Sequence, residues 1–223
     1  MSKRIFVSAT NTNIGKTYTS LRLIDAFSRL GYRVGVFKPI ETGVVSYPED
    51  GKILFESALR SNPLLSSLRL NDIVPIQFLL PSAPFVANGG NPIELTQFDQ
   101  SLEKIESLCD IVIIEGAGGL MVPIDDETMM IDLARYFQAT VFLVTHCSLG
   151  CINDTLLSLK ALDDAKLAYI WGMNCRESDR DFENVSLPYL NHRFERLFRI
   201  HKDIDAIAKA LLDTISRHNE ESA

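Results

Sequence analysis

The segment from Ser8 to Thr17 carries residue types suited to phosphate binding, in the order Ser-Ala-Thr-Asn-Thr-Asn-Ile-Gly-Lys-Thr. It follows the apolar run Ile5–Val7 and precedes apolar residues at helical spacing, so the pattern predicts a strand, a loop and a helix. Unpaired N–H groups at a helix N-terminus carry partial positive charge that suits phosphate oxygens. The ammonium of Lys16 would contact the β- and γ-phosphates of a nucleoside triphosphate, and the hydroxyl of Thr17 would bind Mg²⁺.

This segment departs in one place from the usual phosphate-loop pattern, G-x-x-x-x-G-K-[ST]. Thr10, preceded by Ala9, stands at the first glycine position, and Gly15 stands at the second. The change narrows the backbone conformations open to the turn but removes no phosphate ligand. The alternative is an ordinary strand-to-helix turn that contains Gly-Lys-Thr. The flanking elements and the Lys-Thr pair favour the phosphate loop.

A second lysine, Lys38, follows the apolar run Arg33–Phe37 directly. In an open parallel sheet, ligands bind at the carboxyl ends of the strands, so Lys38 is predicted at the same edge as the phosphate loop. A cation there, on a different strand from Lys16, indicates an anionic acceptor in addition to the nucleotide. The alternative is a solvated lysine that closes a strand.

Two acidic residues are candidates for binding Mg²⁺ beside Thr17. Glu115 ends the apolar strand Asp110–Glu115 and precedes the small residues of Gly116–Gly119, which resembles a Walker B strand. Asp50 lies in the turn signal Pro48-Glu49-Asp50-Gly51. Glu49 is an alternative to Asp50, and a solvated turn is an alternative to both. Together with Thr17, these carboxylates supply the oxygen ligands that Mg²⁺ prefers.

Two further strand ends carry polar residues. His146 has no partner that the sequence identifies and is interpreted as structural. Leu149–Asn153 opens a helix predicted from about Ile152 to Ala165, and that N-terminus suits a carboxylate or a phosphate. Asn174 follows the strand Tyr169–Met173, where its amide could contact a purine edge or cap the local backbone.

The elements that must position these residues alternate along the whole chain. The predicted strands are Arg4–Ala9, Arg33–Phe37, Asp110–Glu115, Thr140–Val144 and Tyr169–Met173, and the predicted helices are Lys16–Leu30, Lys52–Arg60, Leu95–Leu108, Met130–Phe137, Ile152–Ala165 and Asp203–Ser216. This alternation predicts an α/β fold, a mostly parallel sheet with helices on both faces, like that of P-loop NTPases. The proline-rich stretch Asn62–Pro92 is too long for a plain loop and is predicted to form an excursion on the substrate side.

Composition sets limits on the class of protein. With 223 residues, 46% of them hydrophobic, the chain is predicted to form a single domain over residues 1–223, with a frayed tail over about 219–223. A net charge of −7 argues against nucleic acid as a partner. No apolar run approaches the ~20 residues of a membrane span, and the first residues enter a strand at once, so we expect no membrane partner and a cytoplasmic location.

The four cysteines, Cys109, Cys147, Cys151 and Cys175, form no C-x-x-C pair and match no histidine spacing. Neither a structural zinc site nor a disulfide framework is therefore predicted. Free thiols buried in the core are the expectation.

Four motifs in the same order closely resemble those of dethiobiotin synthetases, from Ser2 to about Leu190. They are Thr10-Asn-Thr-Asn-Ile-Gly-Lys-Thr17, Lys38-Pro-x-x-Thr-Gly43, Glu115-Gly-Ala-Gly-Gly119 and Leu149-Gly-Cys-Ile-Asn153. The resemblance implies that 7,8-diaminopelargonate, CO₂ and ATP are converted to dethiobiotin, ADP and phosphate. A carbamate would attack the γ-phosphate, and the second amine would then displace phosphate from the mixed anhydride.

The resemblance also implies roles for particular residues. Lys38 and Lys16 would be catalytic, and Thr42 would bind the carbamate. Mg²⁺ would be held by Thr17, Asp50 and Glu115. The nucleotide would contact Asn13, Ile14, Gly15, Lys16, Thr17, Tyr18, Asp50, Glu115, Gly116, Ala117, Gly118, Asn174, Pro188, Tyr189 and Leu190. In the family, the substrate carboxylate docks on Gly150, Cys151, Ile152 and Asn153 of a neighbouring subunit, which implies a homodimer.

The main rival is a switch ATPase of the partitioning or septum-positioning type. Such proteins carry an extra lysine early in the phosphate loop, where this chain has Asn11. The acidic composition and the mixed charges of the last helix also count against this class. A second rival, an amide-forming synthetase acting on corrin acids, generally brings a glutamine-hydrolysing domain for which 223 residues leave no space.

Overall fold

A computed structural model describes residues 3–221 of the chain, with side chains described for residues 3–217. Its strands are β1 (Lys3–Ala9), β2 (Val34–Phe37), β3 (Ile40–Thr42), β4 (Ile76–Phe78), β5 (Ile111–Gly119), β6 (Thr140–His146) and β7 (Tyr169–Asn174). Its helices are α1 (Lys16–Arg29), α2 (Glu49–Ser61), α3 (Leu70–Ile73), α4 (Pro84–Ala87), α5 (Asp99–Glu106), α6 (Met130–Tyr136), α7 (Cys151–Asp164), α8 (Phe182–Val185), α9 (Leu187–Arg193) and α10 (Ile200–Glu221).

The main sheet has five strands in the order β2-β5-β1-β6-β7, and every pairing between neighbours in it is parallel. The residues Ile111–Ile114 of β5 and Val141–Val144 of β6 are fully buried, as expected for strands covered by helices on both faces. Strands and helices alternate because parallel neighbours need a crossover, usually helical, between them. The predicted α/β class and the mostly parallel sheet are confirmed.

The carboxyl edge of this sheet differs from the prediction in three places. Strand β5 continues past Glu115 to Gly119, and helix α2 begins at Glu49, three residues before the predicted start. After β2 the chain also forms β3, which pairs with β4 in a second, two-stranded parallel sheet. With only three residues, β3 is too short to show a period-2 pattern in the sequence. Its partner, β4, lies in the proline-rich stretch. That stretch contains α3, β4, α4 and a 3₁₀ turn, Pro63–Ser67.

The core is built on the two faces of the main sheet. On one side, Phe37, Phe98 and Phe137 pack edge to face, with ring centroids 5.8 to 6.2 Å apart. The predicted helix Leu95–Leu108 is instead a 3₁₀ turn, Leu95–Phe98, that runs into α5. The turn aims Phe98 into the aromatic cluster, so packing overrides the regular helical period. The last helix begins at Ile200 and contains one non-helical residue, Asp203, where the predicted helix began.

The cysteine prediction is wrong for one pair. Cys147 and Cys175 form a disulfide, whereas Cys109 and Cys151 are buried free thiols as expected. The pair follows the last residues of β6 and β7, whose register sets His146 beside Asn174. The two cysteines are therefore neighbours across the sheet although 28 residues separate them in sequence. Spacing along the chain gave no sign of this contact.

Two other expectations concern the ends and the surface. The frayed tail predicted for 219–223 falls outside the residues whose side chains are described, and the described backbone is helical to Glu221. Over the described residues, every helix is too short or too polar to cross a bilayer.

Candidate active site

A cleft of about 810 Å³ opens at the carboxyl edge of the main sheet. The phosphate loop forms one wall, and the end of β2, β3 and the start of α2 form another. Segments after β4 and β5 complete the cleft. Its lining consists of Thr12, Asn13, Gly15, Lys16, Thr17, Lys38, Glu41, Thr42, Asp50, Pro81, Ser82, Ala83, Pro84, Gly116, Ala117, Gly118, Val122 and Arg176.

The phosphate loop turns sharply before α1. Gly15 has a φ of 107°, and Asn13 has a φ of 60°, a left-handed conformation that non-glycine residues other than Asn and Asp seldom adopt. A Cβ on Gly15 would lie 2.2 Å from Nδ2 of Asn174, so the loop needs glycine for space as well as for its backbone angle. The loop therefore ends with its N–H groups at the start of α1, as a phosphate cradle requires.

Two residues at the end of β7 hold the phosphate loop from outside. Nδ2 of Asn174 donates a hydrogen bond to the carbonyl of Ile14 at 2.8 Å, and the guanidinium of Arg176 donates to the carbonyl of Asn13. In a trans peptide the C=O and the following N–H point in opposite directions. Fixing these two carbonyls therefore fixes the N–H groups of Ile14 and Gly15. Of the two roles considered for Asn174, the structure contains the backbone contact.

Three oxygen-bearing side chains from separate elements meet at the floor of the cleft. The hydroxyl of Thr17 lies 3.1 Å from Oδ1 of Asp50 and 3.1 Å from Oε1 of Glu115. Glu115 is fully buried, and its second oxygen accepts a 2.7 Å hydrogen bond from Ser20. Glu49 is exposed and takes no part in this cluster.

This set of oxygens fits Mg²⁺, which usually binds one or two carboxylates and takes its remaining ligands from water and phosphates. Among the described residues no group of three His, Cys, Asp or Glu side chains could enclose a metal ion. The hydroxyl of Thr17 and the two carboxylates would leave the remaining positions around such an ion to phosphate oxygens and water. Thr17, Asp50 and Glu115 are the three residues predicted to hold it.

Both predicted catalytic lysines line the cleft. Nζ of Lys38 is 2.9 Å from Oε1 of Glu115 and 3.6 Å from Oδ2 of Asp50, and the side chain is only 3% exposed. Burial disfavours its charge, but the carboxylates outweigh burial and raise the pKa of Lys38. Burial and the nearby charge of Lys38 lower the pKa of Lys16 to about 8. Two ammonium groups, one at the start of α1 and one directly after β2, thus face one cleft.

The start of α2 is held by a residue of another element. Oε1 of Glu41 accepts the N–H of Asp50 at 3.1 Å, and Oε2 accepts the N–H of Gly51 at 2.9 Å. Burial raises the pKa of Glu41, against the effect of these hydrogen bonds and of Lys38. A Cβ on Gly51 would lie 2.1 Å from Cγ2 of Val74, so glycine lets the helix start approach closely.

Several predicted site residues lie elsewhere in the monomer. Leu190 is 1% exposed and packs in a second small core with Met173 and Phe182, and the neighbouring Pro188 and Tyr189 are exposed on α9, outside the cleft lining. The segment Gly150–Asn153 also lies outside it, at the start of α7, where Gly150 has a φ of 100°.

Two more residues predicted to contact the nucleotide, Ile14 and Tyr18, lie in or next to the phosphate loop but are absent from the cleft lining. The carbonyl of the partly buried Ile14 accepts the hydrogen bond from Asn174, while Tyr18 is 42% exposed on α1.

His146, interpreted as structural from the sequence, contacts Oγ of Ser148 at 2.6 Å and Oδ2 of Asp154 at 3.0 Å. These partners stabilise the turn that leads into α7.

Sequence reasoning missed two residues of the cleft lining, Glu41 and Arg176, and the buried Ser20, which contacts Glu115 beneath it. The Pro81–Pro84 segment belongs to the stretch predicted to form an excursion on the substrate side, and it lines the cleft. Glu41 stood inside the recognised motif Lys38–Gly43, directly after the apolar residue Ile40, and that position was a usable signal. Ser20 lies one turn after Lys16, on the face of α1 that meets β5, which helical spacing could have indicated. Nothing in the local pattern distinguished Arg176 from other exposed arginines.

Comparison with known proteins places this geometry among relatives. A family model described as "AAA domain" matches residues 3–209. The chain is 42% identical to an ATP-dependent dethiobiotin synthetase of Sulfurovum sp., covering 93% of this chain and 99% of the relative. It is 37% identical to that of Wolinella succinogenes, covering 96% and 100%, and 36% identical to one of Escherichia coli K12, covering 75% of each.

Solved structures share the fold at low sequence identity. The MinD cell division protein of Aquifex aeolicus aligns with a TM-score of 0.53 at 13% identity, covering 100% of this chain and 99% of its own. A putative plasmid partition protein of Borrelia burgdorferi aligns with a TM-score of 0.54 at 11% identity, covering 97% and 99%. These structural similarities show the P-loop fold alone. The sequence identities of 36–42% with dethiobiotin synthetases, across most of the chain, show the family. The chain belongs to the family of ATP-dependent dethiobiotin synthetases, which are ligases.

Proposed function

We propose that this chain closes the ureido ring of dethiobiotin from 7,8-diaminopelargonate, CO₂ and ATP, with Mg²⁺ bound to Thr17, Asp50 and Glu115. The observation that carries the proposal is the meeting of Lys16 and Lys38 in one cleft, beside a hydroxyl and two carboxylates. Two cations from separate elements suit a reaction between two anions, a carbamate and a triphosphate. The family of the chain supports the same reaction.

The proposed chemistry has three steps. One amine nitrogen attacks CO₂ and loses a proton, which gives a carbamate. A carbamate oxygen then attacks the γ-phosphorus as its bond to the bridging oxygen of ADP breaks. The second amine attacks the carbonyl carbon, the carbon–oxygen bond to phosphate breaks, and phosphate leaves with the electron pair while the amine loses its proton.

The residues of the cleft would assist these steps by position and charge, which supply most of the rate in phosphoryl transfer. Lys16 would bridge the carbamate and the γ-phosphate. Lys38 would stabilise the charge that develops during transfer, and the hydroxyl of Thr42 would donate a hydrogen bond to the carbamate. The bound Mg²⁺ would neutralise charge on the phosphates.

The nucleotide would lie along residues Asn13–Tyr18 and the turn Gly116–Gly118, with Asn174 near the base. Base contacts from Pro188, Tyr189 and Leu190 would require α9 to approach the cleft, because Leu190 packs in a separate core. Arg176, which lines the cleft, is a further candidate for a nucleotide contact. All the proposed substrates are small and soluble, so we place the reaction in the cytoplasm as part of the same proposal.

A homodimer is part of this proposal, with the substrate carboxylate bound at Gly150–Asn153 of the neighbouring subunit. An exposed apolar patch at α7 supports it. Met121 is 63% exposed and Leu157 is 61% exposed in one groove, and Leu149, at the start of the same helix, is 88% exposed. Exposed apolar surface of this kind is typical of association surfaces.

Replacing Lys38 tests the mechanism directly. We expect Lys38→Ala to lower dethiobiotin formation at least a hundredfold, as expected when a group that stabilises transition-state charge is removed, while nucleotide binding persists. Product formation and ADP release are measured with diaminopelargonate and bicarbonate. Binding of ATP in the same preparation verifies that the variant is folded.

Lys52→Ala is the matched control, since Lys52 is a half-buried lysine of α2 that lies over the ring of Tyr47, outside the cleft lining. It should keep wild-type turnover. Normal product formation by Lys38→Ala would remove Lys38 from the mechanism. ATP hydrolysis by the wild type at one rate with and without the diamine would favour the switch ATPase instead.

A further inference from the structure

Helix α2 begins without a cap of its own. Its N-cap residue is Pro48, which has extended backbone angles and no side chain able to accept a hydrogen bond. The first N–H groups of a helix need acceptors, which an N-cap side chain usually supplies to the second and third helical residues. In this helix those residues are Asp50 and Gly51, the second of which is buried.

The missing acceptors come from β3. The two carboxylate oxygens of Glu41 accept the N–H groups of Asp50 and Gly51, at 3.1 and 2.9 Å. Glu41 is 7% exposed, so these bonds are shielded from water. A carboxylate at a helix N-terminus is also favoured by the helix dipole. Glu41 thus does from another strand what an N-cap side chain would do locally.

The capped residue is itself part of the cation site. The side chain of Asp50 contacts the hydroxyl of Thr17 at 3.1 Å and lies 3.6 Å from Nζ of Lys38. Its direction depends on where α2 begins, because a shift of the first turn would carry the carboxylate away from Thr17. The close approach of Gly51 to Val74 is a second contact that fixes the helix start.

We propose that Glu41 is a positioning residue, which caps α2 from β3 and thereby aims the carboxylate of Asp50 at the Mg²⁺ site. The inference rests on the proposed function only in taking Asp50 as a ligand of Mg²⁺. Groups that orient metal ligands in this way typically contribute about 10- to 100-fold to metal affinity. Glu41 acts through the backbone of α2 and touches no substrate atom.

The test removes the acceptor at Glu41 and then supplies one at the usual N-cap position of α2, residue 48. In Glu41→Ala, the Mg²⁺ concentration that half-saturates binding of a fluorescent ATP analogue should rise about tenfold. Binding of the analogue without Mg²⁺ should stay unchanged. Adding Pro48→Ser to Glu41→Ala supplies a hydroxyl at the N-cap, whose extended backbone angles suit serine, and should restore most of the Mg²⁺ affinity.

Two variants serve as controls, and a third is intermediate. Pro48→Ser alone should bind Mg²⁺ and nucleotide like the wild type. Glu56→Gln removes an exposed carboxylate of the same helix that pairs with Lys52, and it should change neither measurement. Glu41→Gln keeps one acceptor oxygen and should lie between the wild type and Glu41→Ala.

Several outcomes would overturn the proposal. An unchanged Mg²⁺ dependence in Glu41→Ala would do so, as would weakened binding without Mg²⁺ that Pro48→Ser fails to restore, because Glu41 would then contact the ligand itself. If Glu41→Ala does not fold, Glu41→Gln becomes the deciding variant, and wild-type Mg²⁺ affinity there would refute the cap. Since the readout is binding, absence of dethiobiotin formation by the wild type would reject the proposed function and leave this test intact.

Discussion

At the scale of the residue, the site contains a positive charge, that of Lys16, in an environment that disfavours it. Lys16 is partly buried beside Lys38, and this environment lowers its pKa to about 8 from an ordinary value of 10.5. The lowered pKa means that the charged form is less stable in the folded chain than in the unfolded chain. A protein that must bind a triphosphate keeps this charge in place at the expense of its stability without ligand.

Removing that charge should therefore stabilise the protein. We expect Lys16→Met to raise the free energy of unfolding at pH 7 by about 1–3 kcal/mol, since each unit of pKa shift corresponds to about 1.4 kcal/mol. In the wild type the cost is complete below the folded pKa near 8 and disappears as pH rises to the unfolded value of 10.5. The gain should fade over the same range.

Urea unfolding of both proteins at pH 7 and at pH 10, without nucleotide, measures this difference. Binding of ATP should be lost in the variant. A Lys16→Met protein that is less stable than the wild type at pH 7 would show that the attraction of Glu115 and Asp50 for the Lys16 ammonium outweighs the cost of its burial.

At the scale of the element, residues at and just after the end of β7 hold the backbone of the phosphate loop by hydrogen bonds. Asn174 and Arg176 donate to the carbonyls of Ile14 and Asn13, and Asn174 fills the space beside Gly15 that a side chain would need. The strand thus holds the loop in the shape that directs its N–H groups. This contact is independent of any contact that Asn174 makes with a base.

A ligand without a base separates the two roles of Asn174. We expect Asn174→Ala to weaken binding of inorganic tripolyphosphate and of ATP by similar factors, about fivefold, because the lost hydrogen bond to Ile14 is worth about 1 kcal/mol. Titration calorimetry with both ligands gives the two ratios. Weaker binding of ATP with unchanged binding of tripolyphosphate would assign Asn174 to the base instead.

At the scale of the whole molecule, the monomer leaves an apolar groove uncovered. Met121 and Leu157 line it together with Leu120 and Val122. The predicted carboxylate site at Gly150–Asn153 begins the same helix that carries Leu157. A subunit contact there would bring the start of α7 to a neighbouring cleft.

We expect the wild type to form a dimer of 25.0 kDa chains and Leu157→Glu to be a monomer, because a buried charge would oppose association. Size exclusion with light scattering measures the mass. The variant should bind ATP normally but lose dethiobiotin formation. Leu64→Glu, a charge introduced at another exposed leucine, is the control. A wild-type monomer with full activity would rule out the shared site.

The sequence by itself determined the fold class, the phosphate loop, the lysines of the cleft and two of its acids, Asp50 and Glu115. These follow from local signals: apolar runs of strand length, helical spacing, and polar residues directly after apolar runs, such as Lys38 and Glu115. Because the carboxyl ends of parallel strands share one edge, knowing that each residue ends a strand was enough to bring them together. The family resemblance added the roles of these residues.

Only the tertiary structure decided the contacts that join distant segments. The cap of α2 by Glu41, the disulfide between Cys147 and Cys175 and the hold of Asn174 on Ile14 depend on sheet order and register. Sheet order and register are not encoded in the spacing of residues along one segment. The strand order β2-β5-β1-β6-β7 sets which strand ends are neighbours, and packing of the whole core selects that order.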